Sequence, residues 1–271
     1  MNGASREALA SARERLDALA DNRSVDVAKL AEELAAVTAL LDREASLRRV
    51  LTDPAREGQA KAGLVAGLLS GQVGAETIDL LSGMVRSRWS KPRDLADALE
   101  ELAATAELVV AGRSNGLDEV EDELFRFSRI LQSSTELRLA LTDRTASNAA
   151  KAELIGSLLG GRANVVTQRL ITRLVSHPRG RSLEVGLEAY SKLAAARRGR
   201  TVAVVTTAVP LDARQKARLG EVLARLFGRE VHLNLDVDPE VLGGISVRVG
   251  DEVVDGSISR RLEEAARRLA G

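Results

Sequence analysis

Cysteine is absent from this 271-residue chain, and with it go disulfides, thiolate chemistry and cysteine-bound metal, an absence that suits a reducing compartment. Aromatic residues are only 2% of the sequence, so the cores must be aliphatic, and the abundance of Ala and Leu makes them mostly helical. Two histidines are present, His177 beside Pro178 and His232 in an alternating stretch. They stand too far apart in sequence to suggest a metal pair and are too few to give a Ser-His-Asp arrangement much choice. Neither sign of charge dominates: Lys plus Arg and Asp plus Glu are 39 each. Whole-chain charge therefore gives no reason to expect nucleic acid, a lipid surface or an acidic substrate, and a charge-driven partner would need a local patch. Long apolar runs are missing too. Nothing approaches the roughly 20 residues needed to cross a bilayer, and the opening "MNGASREALASARERLDALA" is charged throughout with no signal-peptide core. The expectation is a cytoplasmic chain that neither spans a membrane nor is exported.

What the chain does have is a repeat. "LTDPAREGQAKAGLVAGLLSG" at 51–71 returns at 141–161 as "LTDRTASNAAKAELIGSLLGG". Without a gap, 51–85 matches 141–175 at 13 of 35 positions, and the match extends upstream through Glu33/Glu123 and Leu41/Leu131. Duplication is the simplest cause, of a unit about 80–90 residues long, the size of a small domain rather than of a solenoid repeat. Each copy reads as a helix bundle. In the first, Ser24 is a candidate N-cap before Leu30, Leu34, Val37, Leu40 and Leu41 at helical spacing, Pro54 permits a helix start, Gly71 ends one, and Pro92 opens a last long helix. "AGRSNG" at 111–116 reads as a linker. After Arg200 the period changes. "TVAVVTTAVP" reads as a buried strand, Asp212 as the cap of a helix striped with Leu219, Val222, Leu223, Leu226 and Phe227, and "VHLNLDV" and "ISVRV" as alternating strands. Gly250-Asp251 is a hairpin turn, and an amphipathic helix follows from about Ile258. The expected fold is mainly α with a small α+β C-terminal domain of order β-α-β-β-α. The expected domains are 1–110 (opening helix plus first copy), 111–200 (second copy) and 201–271.

Catalytic patterns are missing. No Lys or hydroxyl follows Gly67, Gly71 or Gly74 as a phosphate loop requires, there is no Gly-x-Ser-x-Gly elbow, and acid pairs such as Glu32-Glu33 and Glu100-Glu101 read as solvated helix faces. No enzyme activity, cofactor or metal is expected. The run "RSRWSKPR" at 86–93 sets four cations around Trp89; it could hold RNA by phosphate contact and stacking, though a helix end with Trp89 closing the core explains it more simply. A helical bundle copied in tandem without reactive groups suits an adaptor that receives an amphipathic helix in an apolar groove. Leu80, Leu81 and Met84 in the first copy, and Leu170, Ile171, Leu174 and Val175 in the second, exceed what one core-facing stripe needs and are the candidate groove residues.

"VHLNLDVDPEVLGGISVRVGDEVVDGSISRRLEEAARRL" resembles the C-terminal signature of the delta-subunit family of F-type ATP synthases, counterparts of the mitochondrial oligomycin-sensitivity-conferral protein. It holds a strand ending near Asp238-Pro239, a Gly243-Gly244 turn, an alternating strand, then Asp251, Asp255, Gly256 and Ser257. Residues 117–200 resemble the family's helical bundle, with "LTD" at 141–143 and Lys151 following, and 5–20 resemble its opening helix. The additional copy looks like the enlarged actinobacterial form. The resemblance implies a non-catalytic stator role on the cytoplasmic face of the cell membrane: the helical part holds N-terminal helices of the alpha subunits, and the C-terminal domain holds the C-terminal region of the b subunit. Gly243, Gly244, Ile245 and Val247 become the candidate contacts with b. No nucleic acid is implied, and the membrane is met only through b.

Overall fold

The computed structural model describes residues 1–198, 201–227, 231–238, 245–249 and 252–255. It divides into two compact units, Met1–Ala195 and Ala196–Gly271, and is mainly α with a small α+β C-terminal part.

The first unit holds eleven helices among the described residues. They are α1 (Gly3–Asp21), α2 (Val27–Arg43), α3 (Ala45–Thr52), α4 (Gly58–Leu69), α5 (Ala75–Arg86), α6 (Pro92–Arg113), α7 (Leu117–Ser133), α8 (Thr135–Thr142), α9 (Asn148–Leu159), α10 (Val165–Ser176) and α11 (Leu183–Arg198). Shifted by ninety residues, α2–α5 fall onto α7–α10 without a change of bounds, and α1 falls onto α6. The order is thus one long helix, four shorter ones, a second long helix, the same four again, and a third long helix. In α11, Leu183, Leu187, Tyr190 and Ala194 are buried as Leu95, Leu99, Leu102 and Ala106 are in α6.

Local chemistry repeats with the helices. Thr52 donates its hydroxyl to the Arg48 carbonyl at 2.8 Å and Thr142 to that of Arg138 at 2.7 Å. Asp53 and Asp143 accept from the backbone two residues on, turning the chain before α4 and α9. Pro54 lies in that turn and does not open α4, which starts at Gly58 just as α9 starts at Asn148 with Arg144 in the proline's place. Buried Lys61 reaches back to the Asp53 carbonyl at 3.4 Å; Lys151, its counterpart, is buried too. Gly71 and Gly161, with φ of +75° and +68°, end the two "LTD…G" stretches in the left-handed region that glycine tolerates. The cap of α2 is Asp26, whose carboxylate accepts from Lys29 N at 3.0 Å; Ser24 bonds to Asn22 instead.

Helix α6 is where the two copies join. Its Leu95, Leu99 and Leu102 belong to the first core, with Leu16, Leu34 and Leu81. Its Ala104, Leu108 and Ala111 belong to the second, with Leu124, Leu131 and Leu170. A helix buried nearly all round must be mostly apolar, which is why Ala, Leu and Val dominate its C-terminal half, with Glu107 the buried exception. Residues 111–113, expected in a linker, are its last turn, and the connection to α7 is three residues, with Asn115 at φ +56°.

In the second unit β1 (Thr201–Thr207) pairs parallel with β2 (Val231–Val237) and antiparallel with β3 (Ile245–Val249), which pairs antiparallel with β4 (Glu252–Asp255). The sheet order is β2-β1-β3-β4. Helix α12 (Ala213–Phe227) follows β1. Asp212 caps it by accepting from Gln215 N at 2.7 Å, while the Gln215 side chain accepts from Asp212 N at 2.9 Å, a reciprocal capping box. Ala203, Val205, Leu223, Val231 and Val247 form the core. Leu219 and Phe227 pack against it as the stripe predicts, but Val222 and Leu226 are exposed, lying just outside the arc that faces a four-stranded sheet. The turn at Gly250-Asp251 and the expected C-terminal helix lie outside the described residues.

Candidate functional site

The second place where the copies meet is open. A cavity of about 620 Å³ lies between α2 and α10, with α6 beneath. From α2 come Glu32, Ala35, Ala36, Ala39 and Asp42, a single stripe three turns long, about 15 Å at the helical rise. From α10 come Val165, Gln168, Arg169, Thr172, Arg173 and Ser176, spaced the same way. Ala103 and Glu107 of α6 line the floor. One wall is small and apolar with acids along it, and the other is polar with two arginines.

Most of the charges in and around this trough are paired; Glu32 of α2 is exposed. Glu107 is fully buried and meets Arg173 at 3.2 Å and Arg169 at 3.4 Å. At one end Arg179, in the α10–α11 loop, has a side chain only 5% exposed and meets Asp42 of α2 at 2.6 Å and Asp97 and Glu100 of α6 at 2.8 and 2.7 Å. Its backbone sits at φ +55°, a conformation uncommon for arginine and held here by those three carboxylates. Burial alone would lower the Arg179 pKa; hydrogen bonds to Asp42 and Glu100 outweigh it and hold it above the usual value. Asp97 is pushed up, because burial outweighs the pull of Arg179 and Arg93. Arg181 also pairs with Glu100 and lies 5.9 Å over the Tyr190 ring. The Tyr190 phenol, donating to Glu100 at 3.4 Å, is pushed up first by burial and then by that carboxylate. His177 also lines this end of the trough, and no cluster of metal-binding side chains occurs among the described residues.

The expected groove residues lie elsewhere. Leu80, Leu81 and Met84 are 0–1% exposed in the first core, and Leu170, Ile171, Leu174 and Val175 are 0–2% exposed in the second. They are enclosed by the chain's own helices; it is the opposite face of α10 that fronts the trough. In the C-terminal unit Val247 is buried and Ile245 half-buried, while Gly243 and Gly244 lie outside the described residues. Trp89 is buried and donates its indole N–H to the Met84 carbonyl at 2.8 Å, so its ring is closed to base stacking, although Arg86, Arg88, Lys91 and Arg93 around it are exposed. Sequence reasoning missed Arg179 and Glu107, and its reading of Glu32-Glu33 and Glu100-Glu101 as solvated faces fails for Glu100, which is buried against Arg179 and Arg181, and for Glu33, which is drawn in to the start of α5. The repeat held one clue: ninety residues before Arg179 stands Trp89, so one loop position is filled by an apolar plug in one copy and by a cation in the other.

Among the described residues no helix is long and apolar enough to cross a membrane. The family model for the ATP synthase delta (OSCP) subunit matches residues 103–269, beginning inside α6 where that helix passes from the first core to the second. The chain is 70% identical to the ATP synthase subunit delta of Streptomyces griseus over the full length of both. It is 67% identical to that of Streptomyces avermitilis over 99% of this chain and 98% of the relative, and 47% identical to that of Thermobifida fusca over the full length of both. A chain in the cryo-EM structure of the Toxoplasma gondii mitochondrial ATP synthase hexamer is 24% identical, covering 62% of this chain and 95% of that one, at a TM-score of 0.28. The additional helical copy is therefore shared end to end with relatives rather than peculiar to this sequence, and the chain belongs to the ATP synthase delta (OSCP) subunit family, as a non-catalytic part of that complex.

Proposed function

We propose that the chain is a peripheral-stalk subunit, a stator that ties the catalytic head to the membrane-anchored b subunit so that rotation drives proton-coupled ATP synthesis. The observation that supports this most directly is the trough: about 620 Å³ between two helices, floored by a third, with a wall of alanines that lets another helix approach closely. In this reading the helical unit receives an N-terminal helix of an alpha subunit. Leu170, Ile171, Leu174 and Val175 act from behind α10 to hold that wall, and Leu80, Leu81 and Met84 hold α5 in the same way. The C-terminal unit takes the C-terminal region of b, with Gly243, Gly244, Ile245 and Val247 at or beside the contact. The subunit works at the cytoplasmic face and touches the membrane only through b. It needs no cofactor and no nucleic acid. Resisting torque favours several modest contacts in parallel, because each linked site raises the effective concentration of the next.

The test is a pull-down of the purified full chain with a peptide of the alpha N-terminal segment and, separately, with the b C-terminal segment. Each should be retained on its own, and both together without competition. Failure to retain either would overturn the reading.

A further inference from the structure

We infer that duplication gave this subunit one helix-receiving trough rather than two, and that the trough is composite, with α10 of the second copy as one wall and α2 of the first as the other. The inference rests on the stator reading and says where its partner helix sits.

In the first copy the surface corresponding to α6/α10 is α1/α5, and it is barred. Arg15 of α1 reaches across to α5, with Nε 2.9 Å from Asp79 Oδ2 and Nη2 2.5 Å from Oδ1. Its Cδ lies only 3.6 Å from where a side chain on Gly83 would begin, so the arginine fills the space in front of that glycine. Ninety residues on from Arg15, Asp79 and Gly83 stand Thr105, Arg169 and Arg173. Thr105 is too short to cross, and its hydroxyl bonds within its own helix to the Glu101 carbonyl at 2.8 Å. Arg169 and Arg173 are drawn down onto buried Glu107 instead, and the space above them stays open. What a lone bundle could not provide is the facing wall, and Ala35, Ala36 and Ala39 of α2 supply it, held at one end by Arg179 on Asp42.

The chemistry of the walls defines the occupant. It is an amphipathic helix with small residues against the α2 alanines, a basic edge towards Glu32, which is exposed, and an acidic edge towards Arg169, whose side chain is 37% exposed. The two edges fix its rotation and direction as well as its affinity.

The full chain is titrated calorimetrically with a synthetic peptide of the alpha N-terminal segment. One peptide should bind per chain. Ala36→Trp, on the exposed side of α2, should weaken binding by about tenfold or more because the indole occupies the trough. Glu32→Lys should weaken it by about two- to fivefold at low salt, with the loss shrinking as salt rises. Arg15→Ala should leave the affinity unchanged and the stoichiometry at one, because the first copy, even unbarred, still lacks a facing wall. Thermal melts of all three variants should match the parent, since all three side chains are at least partly exposed. Two peptides per chain, or full affinity in both Ala36→Trp and Glu32→Lys, would overturn the composite trough while leaving the stator reading intact. A chain that holds neither the peptide nor the assembled head would overturn the stator reading and the trough with it.

Discussion

Glu33 and Glu123 perform one task in two places. Glu33 accepts from Gly74 N at 2.9 Å and from the Thr77 hydroxyl at 2.5 Å, and Glu123 accepts from Asn164 N at 3.0 Å and the Thr167 hydroxyl at 2.5 Å. Each carboxylate caps the helix that begins α5 or α10, where unpaired N–H groups and the helix dipole favour negative charge. Glu33→Ala and Glu123→Ala should therefore cost about the same, on the order of 1–3 kcal/mol each, and should add in the double variant because the sites share no partner; urea unfolding monitored by circular dichroism would check both. Asp97 is a different case. Its pKa is raised despite a 2.8 Å contact with Arg179, so the charged form is disfavoured in the fold relative to the unfolded chain. That penalty is present above the folded pKa and fades as pH falls and the carboxyl protonates in both states. Asp97→Asn should consequently leave the melting temperature unchanged or raise it at pH 7, with the difference fading as pH falls through the folded pKa and gone only below the ordinary carboxylate value, even though it removes an apparent ion pair. A clear loss of stability at pH 7 would show that Arg179 outweighs burial.

Among the elements, α11 sits against α10 through a position with no side chain. A Cβ on Gly186 would fall 2.2 Å from Leu174 Cδ1, and Leu174 is buried and cannot swing out. Gly186→Ala should destabilise by about 1–2 kcal/mol, the overpacking outweighing the roughly 1 kcal/mol that Ala gains over Gly within a helix. In a Leu174→Ala background the same change should be neutral or stabilising, a sign reversal that thermal melts of the four-member cycle would detect. Most elements were legible in the sequence because their signals are local: the breaker Gly71, Pro92 at the start of α6, Asp212 before α12, and the alternation of "VHLNLDV" and "ISVRV". What escaped depends on partners distant in sequence. "AGRSNG" has loop composition, yet its first three residues are helical because α6 lies between two cores. Leu80 and Leu174 look like surplus apolar surface until α1, α6 and α11 are placed around them. Arg179 has the composition of an ordinary helix end, and no sequence period points it at Asp42, 137 positions away. The trough was hidden for the same reason, since its walls come from different copies and its α2 side is marked only by alanines.

For the molecule as a whole, the shared helix decides what can be removed. Excising residues 25–105 looks from sequence like removing one bundle, but it severs α6, removing Ala104 and leaving Leu108 and Ala111 of the second core on a stub of about two turns. The product should lose most of the helical content of the second bundle as well as the first. A chain beginning at Lys91 keeps α6 whole as the opening helix of the remaining bundle and should fold. It uncovers Leu95, Leu99 and Leu102, each 0% exposed in the full chain, and a contiguous apolar face of that kind drives self-association. Circular dichroism should therefore show the Lys91 variant folded and sizing chromatography should show it oligomeric in a concentration-dependent way, while the 25–105 excision is largely unfolded. The same sharing predicts that α1–α11 in the full chain melt in one transition, because opening the first core strips the apolar face of the helix on which the second is built. Two separate helical transitions, or a well-folded 25–105 excision, would show that the bundles are independent and that α6 joins them without coupling them.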